Sequence, residues 1–387
     1  MKGIVLVLCQ VFFLVSPLIV YSVSAKGKYD VELSLEELKS GIFLPVTINE
    51  TPYTFLLDTG STFTVLNSSF KPILGEPLAL GQAETPVGQS SVQFYQSIDV
   101  MTGEINIKTK LPFLIADLDF FSKVIGEKFD GIAGMAFIHD YIWDIDFDNN
   151  IVRILSELDN PPSKNKFSGI KMSSSPKGVP LVPVEIAGEM TPFMLDTGDT
   201  GSGRLTTEMI DSLSKNNLIE NIAWDSSVNV SGISKIRRVR VREMKVGSHT
   251  YSGLLMQESI QNALGLGFLN RHHVIMDFPN QQLYLKKGLG SFHVDRLDKS
   301  GIKLINDNGQ LIVALVDARG PAKSAGIQKE DIIRSVNKTL TSGEDLLRVR
   351  EIFKENDGEE IFLAINRKGK EINFSFVLNK SYNFLKQ

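Results

Sequence analysis

Short runs of alternating apolar and polar residues, separated by turn-forming residues, recur along most of the chain. Phe43-Leu44-Pro45-Val46-Thr47-Ile48 is one such run, the period-2 pattern of a half-buried strand. Lys235-Ile236-Arg237-Arg238-Val239-Arg240-Val241-Arg242 alternates in the same way and predicts one strand with a solvated basic face. Near the C-terminus, Leu311 to Val316, Ile361 to Ile365 and Ile372 to Phe376 read as strands, and Asp345 to Phe353 as a helix. Pro321 suits a helix start and Gly326 a left-handed stop, so a short helix is expected between them. The N-terminus departs from this pattern. Lys2 precedes Ile4 to Leu8 and Val11 to Val20, with small residues at Val23-Ser24-Ala25. That predicts a signal peptide over residues 1–25, cleaved after Ala25. The alternative is an uncleaved membrane anchor, since the apolar run is long for a signal.

The middle of the chain repeats itself. Pro45-Val46-Thr47-Ile48 leads to Phe55-Leu56-Leu57-Asp58-Thr59-Gly60, and Pro183-Val184-Glu185-Ile186 leads to Phe193-Met194-Leu195-Asp196-Thr197-Gly198. The step from proline to aspartate is 13 residues in both copies. Further on, Gly134-Met135-Ala136-Phe137-Ile138 matches Gly265-Leu266-Gly267-Phe268-Leu269, and each glycine is followed 12 residues later by an Asp-Phe pair, at Asp146 and Asp277. Asp58 to Gly134 spans 76 residues and Asp196 to Gly265 spans 69. Polar, breaker-rich Asp159 to Lys166 reads as the linker between the copies, and Gly288-Leu289-Gly290-Ser291 as a second linker. The expected domains are a signal peptide over 1–25, lobe one over 26–160, lobe two over 161–290 and a third domain over 291–387.

Composition excludes more than it selects. The chain has 387 residues, 42% hydrophobic and 22% charged, with a formal net charge of −4. That is ordinary for a folded protein, and nucleic acid is a poor partner for it. Its one cysteine is Cys9, inside the expected signal. The mature chain would therefore hold no disulfide, no cysteine nucleophile and no thiolate-bound metal. His272-His273 is adjacent rather than spaced for one metal, so no metal or cofactor is expected. No Gly-x-Ser-x-Gly, Walker or Rossmann fingerprint is present.

The two Asp-Thr-Gly sites, each closing an apolar strand and each paired with a later apolar-glycine motif, resemble the aspartic peptidases of the pepsin and retropepsin type. The resemblance covers residues from about 40 to 287. It implies a mainly β fold, a two-lobed pepsin/retropepsin-like β-barrel pair from an internal duplication, with both halves of the site in one chain so that a monomer suffices. Physical chemistry gives Asp58 and Asp196 a shared task. Two close carboxyls cannot both ionise easily, so one proton is shared. The ionised partner then serves as base on a water, and the protonated one polarises the scissile carbonyl. Gly60 and Gly198 let the backbone approach the carboxylates and donate an N–H. The resemblance implies that Thr59 and Thr197 make cross-lobe hydrogen bonds beneath the dyad. Ser61 can hydrogen-bond the outer oxygen of Asp58. In the second copy Asp199 stands at that place, either raising the dyad's apparent pKa values or pointing to solvent. Thr85 to Gln96, with Gly88 and Tyr95, is the candidate flap of lobe one, and the segment around Gly232 its counterpart. Tyr95 reads equally as an ordinary strand aromatic.

Two strings invite comparison with PDZ domains. Gly265-Leu266-Gly267-Phe268 spells a carboxylate loop, but its place in the repeat makes it the buried motif of lobe two. Residues from about 296 to 380, with Gly320-Pro321-Ala322-Lys323-Ser324-Ala325-Gly326-Ile327 and Glu330-Asp331-Ile332-Ile333, resemble the α+β PDZ domains of bacterial envelope proteases. That resemblance makes Gly301-Ile302-Lys303-Leu304 the peptide-carboxylate loop, whose N–H groups hold a terminal carboxylate while the peptide adds to the sheet edge. The bland alternative is a small domain that only packs on lobe two.

Two functional expectations result. In the first, the protein is an exported aspartic endopeptidase, periplasmic or secreted, acting on protein or peptide substrates, with the PDZ domain recruiting C-termini. In the second, it is a non-catalytic envelope binding protein that keeps the peptidase fold. Contact with a membrane is expected only if the N-terminal segment is uncleaved.

Overall fold

The computed structural model describes residues 30–35, 40–85, 88–229 and 232–379. The expected signal peptide lies outside them. Among the described residues, no helix is long and apolar enough to cross a membrane.

Lobe one runs through β1 (Val31–Ser34), β2 (Phe43–Ile48), β3 (Thr51–Leu57), β4 (Val65–Asn67), helix α1 (Lys71–Leu74), β5 (Ala79–Thr85), β6 (Gly88–Tyr95), β7 (Val100–Thr102), β8 (Ile105–Ile107), β9 (Phe113–Ala116), α2 (Asp119–Ile125), β10 (Gly131–Ala133), α3 (Met135–Ile138), β11 (Ile142–Asp146) and β12 (Ile151–Leu155). Lobe two follows with β13 (Ser168–Lys171), β14 (Ser173–Ser174), β15 (Pro180–Ile186), β16 (Glu189–Asp196), β17 (Gly203–Thr206), α4 (Thr207–Lys215), β18 (Ile219–Asn229), β19 (Gly232–Val241), β20 (Met244–Val246), β21 (His249–Tyr251), β22 (Leu254–Ser259), β23 (Ala263–Gly265), α5 (Leu266–Leu269), β24 (His272–Asp277) and β25 (Gln282–Lys287).

The duplication is topological as well as sequential. One sheet has the order β5-β6-β9-β4-β10-β3-β2-β7-β8, and the other the order β18-β19-β22-β17-β23-β16-β15-β20-β21, with β14 added beside β15. Each strand of the first has its counterpart at the same place in the second. The strands that end in Asp-Thr-Gly are central. β3 pairs in parallel with β10, and β16 with β23. Such strands are covered on both faces and need continuous apolar runs, which is why Phe55-Leu56-Leu57 and Phe193-Met194-Leu195 are all buried.

A third sheet, β1-β12-β11-β24-β25-β13, takes strands from both lobes. Its middle is the antiparallel pair β11 and β24, with Ile142 opposite Asp277 and Asp146 opposite His273. The two Asp-Phe pairs of the repeat lie at the ends of these strands, where Asp146 and Asp277 accept N–H bonds from Asn149 and Asn280 and shape turns. Trp143 is fully buried there, its indole N–H donating to the Ile138 carbonyl at 3.0 Å.

The C-terminal unit has its own core, including Leu304, Val313, Ile333, Val349, Phe353 and Leu363. Its elements are β26 (Ile302–Asp307), β27 (Gln310–Val316), α6 (Pro321–Ala325), β28 (Ile332–Val336), β29 (Thr339–Leu340), α7 (Leu346–Ile352), β30 (Glu360–Arg367) and β31 (Lys370–Val377). The sheet order is β26-β27-β28-β30-β31. Pro321 opens α6, and Gly326 closes it at φ 101°. Asp331 is buried against Arg367, 2.7 Å away.

The basic strand differs from expectation. β19 forms, but its arginines are paired rather than solvated. Arg237 bonds Glu258 at 2.7 Å and Asp211 at 2.6 Å, and Arg240 donates to the Asp295 carbonyl at 2.7 Å. Facing carboxylates, invisible in the local pattern, make the difference.

Candidate active site

β3 ends one residue before Asp58 and β16 ends on Asp196, so the two strands deliver both aspartates to one place. Across the lobe boundary the Asp196 carboxyl lies against Gly60 and the Asp58 carboxyl against Gly198. Beneath them the two threonines interlock. Thr59 Oγ1 donates to the Leu195 carbonyl at 2.6 Å, and Thr197 Oγ1 to the Leu57 carbonyl at 2.7 Å. Each hydroxyl also accepts the other threonine's backbone N–H at 3.1 Å. Both threonines are buried. These reciprocal bonds across a pseudo-twofold axis fix the spacing of the carboxylates.

The glycines have a steric reason. Gly60 donates its N–H to Asp58 Oδ1 at 2.8 Å, and Gly198 to Asp196 Oδ1 at 3.0 Å. A β-carbon on Gly60 would sit 2.7 Å from Asp196 Oδ1, and one on Gly198 would sit 2.7 Å from Asp58 Oδ1. Only glycine leaves room for both carboxylates. The apolar-glycine motifs brace the loops from behind. Met135 and Ala136 donate N–H bonds to the carbonyls of Ser61 and Thr62 at 2.7 and 3.0 Å. Leu266 and Gly267 do the same for Asp199 and Gly201 at 2.6 and 2.9 Å. Gly265-Leu266-Gly267-Phe268 thus serves lobe two as a loop brace.

One expectation is corrected, and of the two alternatives for Asp199 the one that sets it against the dyad holds. The Ser61 hydroxyl donates to the Phe63 carbonyl at 2.9 Å instead of to Asp58, because the loop turns back on itself and brings that carbonyl closer. Asp199 does not simply face solvent. Its Oδ1 accepts the Gly201 N–H at 2.9 Å, and its Oδ2 lies 2.8 Å from Arg204 Nε. Arg204 also bonds Asp196 Oδ2 through Nη2. Arg204 escaped the sequence reading, although a signal was there. It stands on β17 opposite Ala263 of β23, the place that apolar Val65 holds on β4 opposite Ile132 of β10, and Asp199 stands where the first copy has Ser61. The two departures of copy two are each other's partners.

The flap candidates form hairpins at equivalent places, β5 with β6 and β18 with β19. Residues 86–87 and 230–231 at their turns lie outside the described residues. Tyr95 belongs to the core, with its hydroxyl donating to Gln93 at 3.1 Å. It is the strand aromatic, and Phe94 instead reaches the dyad loop, edge-on to Phe63 at 5.6 Å.

Burial raises the pKa of both aspartates. For Asp196 burial pushes upward, the Arg204 guanidinium opposes it, and Asp58 and Asp199 add repulsion, leaving it raised from 3.8 to about 8. For Asp58 the N–H of Gly60 and the contact with Asp196 work against burial. Two such carboxyls titrate as a pair and hold one proton between them. The folded state then binds protons that the unfolded chain has released, so stability is full below the unfolded value near 3.8 and is lost as pH rises toward 8. Melting temperature is expected to fall as pH is raised through this window. A thermal melt series at constant ionic strength checks it.

His272 is buried and held neutral, its pKa lowered to about 3 chiefly by desolvation, with Tyr251 Oη 2.7 Å from Nε2. Among the described residues, no group of three or more His, Cys, Asp or Glu side chains is placed to hold a metal ion.

Comparison with known families agrees with this geometry. Residues 44–137 match the aspartyl protease family model, and residues 312–367 match the PDZ domain. The chain combines an aspartyl protease segment with a C-terminal PDZ domain. The protease match contains Asp58 and Gly134 but ends before Asp196, so lobe two is tied to it by the duplication. No curated protein matches the chain.

Proposed function

We propose that the protein is an aspartic endopeptidase with Asp58 and Asp196 as its catalytic pair. The meeting of two carboxyls, Asp58 half-buried and Asp196 buried, on a shared threonine lattice carries this reading. A water between them is deprotonated by the ionised member and attacks the scissile carbonyl, which the protonated member polarises. As the C–N bond breaks, the proton taken from the water passes to the leaving amine nitrogen, and the proton lent to the carbonyl oxygen returns to the dyad as the carboxylic acid product forms. Acid and base are both supplied by the chain. The substrate is an extended peptide lying in the cleft between lobes, and the PDZ domain recruits its C-terminus or that of a partner. The apolar N-terminal segment supports export, to a periplasm or the exterior.

One observation favours a second reading, a peptide-binding protein without turnover. Arg204 holds the Asp196 oxygen that would otherwise face the water. Cleavage of a random-peptide mixture by residues 26–387 between pH 3 and 8 separates the two. Internal cuts, together with a rise in melting temperature on adding pepstatin, which mimics the tetrahedral intermediate, are expected of the peptidase. Intact peptides at every pH would leave the binding protein.

A further inference from the structure

In the PDZ domain, β26 is an edge strand, paired among the described residues with β27 alone. Val313, opposite Leu304, turns its own backbone toward the next strand, donating to Asp331 at 2.9 Å and accepting from Glu330 at 2.8 Å. The backbone of Leu304 therefore faces outward, the polarity an added peptide strand requires. That edge is already in use. Helix α2 of lobe one lies along β26. Arg350 of α7 donates through Nη2 to the Leu304 carbonyl at 2.8 Å and to the Val124 carbonyl of α2 at 2.7 Å. Lys123 pairs with Asp307 at 2.9 Å, and Asn306 Nδ2 donates to the Gly126 carbonyl at 3.4 Å. A β-carbon on Gly126 would come within 2.8 Å of the Leu346 side chain, so α2 ends against the start of α7.

The carboxylate loop is filled as well. Asp298 Oδ1 accepts the N–H groups of Ser300 and Gly301 at 2.9 and 3.0 Å, and Ile302 donates its N–H to Ser300 Oγ at 3.0 Å. Donors suited to a peptide's terminal carboxylate are satisfied by an internal one.

We propose that the PDZ groove is closed by the protein itself, with helix α2 of lobe one along β26 and Asp298 in the carboxylate loop. An extended peptide with a free C-terminal carboxylate enters by displacing them. The proposal rests on the reading of this groove as a peptide site. Its apparent affinity is the open-groove affinity reduced by the open fraction. Opening also reaches the protease. The far face of α2 packs Phe121 and Ile125 with Leu56 and Phe129, and Leu56 lies two residues before Asp58 on β3.

A phage-displayed library of random heptapeptides with free C-termini tests this on residues 26–387. Three proteins are compared: wild type, Lys123→Glu, and a Gly126→Cys/Leu346→Cys variant measured oxidised and reduced. The Lys123 change lies in lobe one and leaves the PDZ domain untouched. In the double variant the two β-carbons would lie near 3.6 Å, within disulfide reach, and the reduced form, which carries the same backbone strain at the φ of 100° of residue 126, is its control. Lys123→Glu removes an ion pair and sets two carboxylates together, and is expected to tighten binding of a selected peptide about tenfold. The disulfide is expected to abolish binding when oxidised and return it when reduced. Equal affinity in wild type, Lys123→Glu and the oxidised variant would overturn closure while leaving the peptide site standing. Failure of wild type and Lys123→Glu alike to select any carboxylate-dependent peptide would overturn both.

Discussion

Asparagine in place of either Asp58 or Asp196 is expected to lower kcat by at least about 1,000-fold, since each substitution removes one half of an acid–base pair. The two variants should differ in stability. Asp58 Oδ1 accepts the Gly60 N–H, and the rest of its carboxyl faces Asp196. In Asp58→Asn the new amide can keep the first contact through its oxygen and donate an N–H to an ionised Asp196. The substitution also removes the repulsion that makes two carboxylates costly at neutral pH. Asp58→Asn is therefore expected to melt higher than wild type at pH 7.5 and to lose most of the fall in melting temperature between pH 4 and 8. Asp196→Asn deprives Arg204 of a charged partner and sets an amide donor against a guanidinium, so it should gain less or lose stability. Initial rates on one cleaved internal bond and paired thermal melts decide the matter. Either variant retaining a tenth of wild-type kcat would remove that aspartate from the chemistry.

The skeleton of the site was legible because it is written twice. Asp-Thr-Gly at a fixed step from a proline, and glycine at a fixed step from Asp-Phe, are local strings that survive duplication, and the matching strand orders of the two sheets follow from them. The C-terminal domain was legible for a different reason. Pro321, Gly326 and Asp331 punctuate helix and strand in ways few other residues can. What escaped was pairing between distant segments. Arg237 reads as a solvated charge until Glu258 and Asp211 are folded against it. Gly301 to Leu304 read as an open carboxylate loop because nothing local announces that Asp298 turns back into it or that α2, from another domain, covers the next strand. Ser61 shows the limit at short range, since a hydroxyl three residues from a carboxylate found a nearer carbonyl.

Arg204 and Asp199 can be tested against their own first-copy counterparts. Arg204→Val recreates the arrangement at Val65, which holds the same place on β4 opposite β10, and Asp199→Ser that at Ser61. Alone, Arg204→Val leaves Asp199 and Asp196 without their shared cation and is expected to cost about 3 to 5 kcal/mol, as for any buried ion pair broken from one side. Asp199→Ser alone leaves Arg204 on Asp196 and should cost less. Together they restore an uncharged arrangement that lobe one already tolerates, so the double variant should recover most of the loss, a coupling readable from a denaturation cycle. The pH profile of kcat/KM supplies the second readout. Arg204 lowers the pKa of both dyad members, whereas Asp199 raises that of Asp196. Arg204→Val should therefore move the active window to higher pH, Asp199→Ser should move it lower, and the double variant should lie between. Additive stability losses, or shifts of the same sign, would mean that the two charges act separately. Opposite shifts with strong coupling would mean that lobe two carries a neutral pair in place of lobe one's serine and valine, and that this exchange sets the acidity at which the dyad holds its single proton.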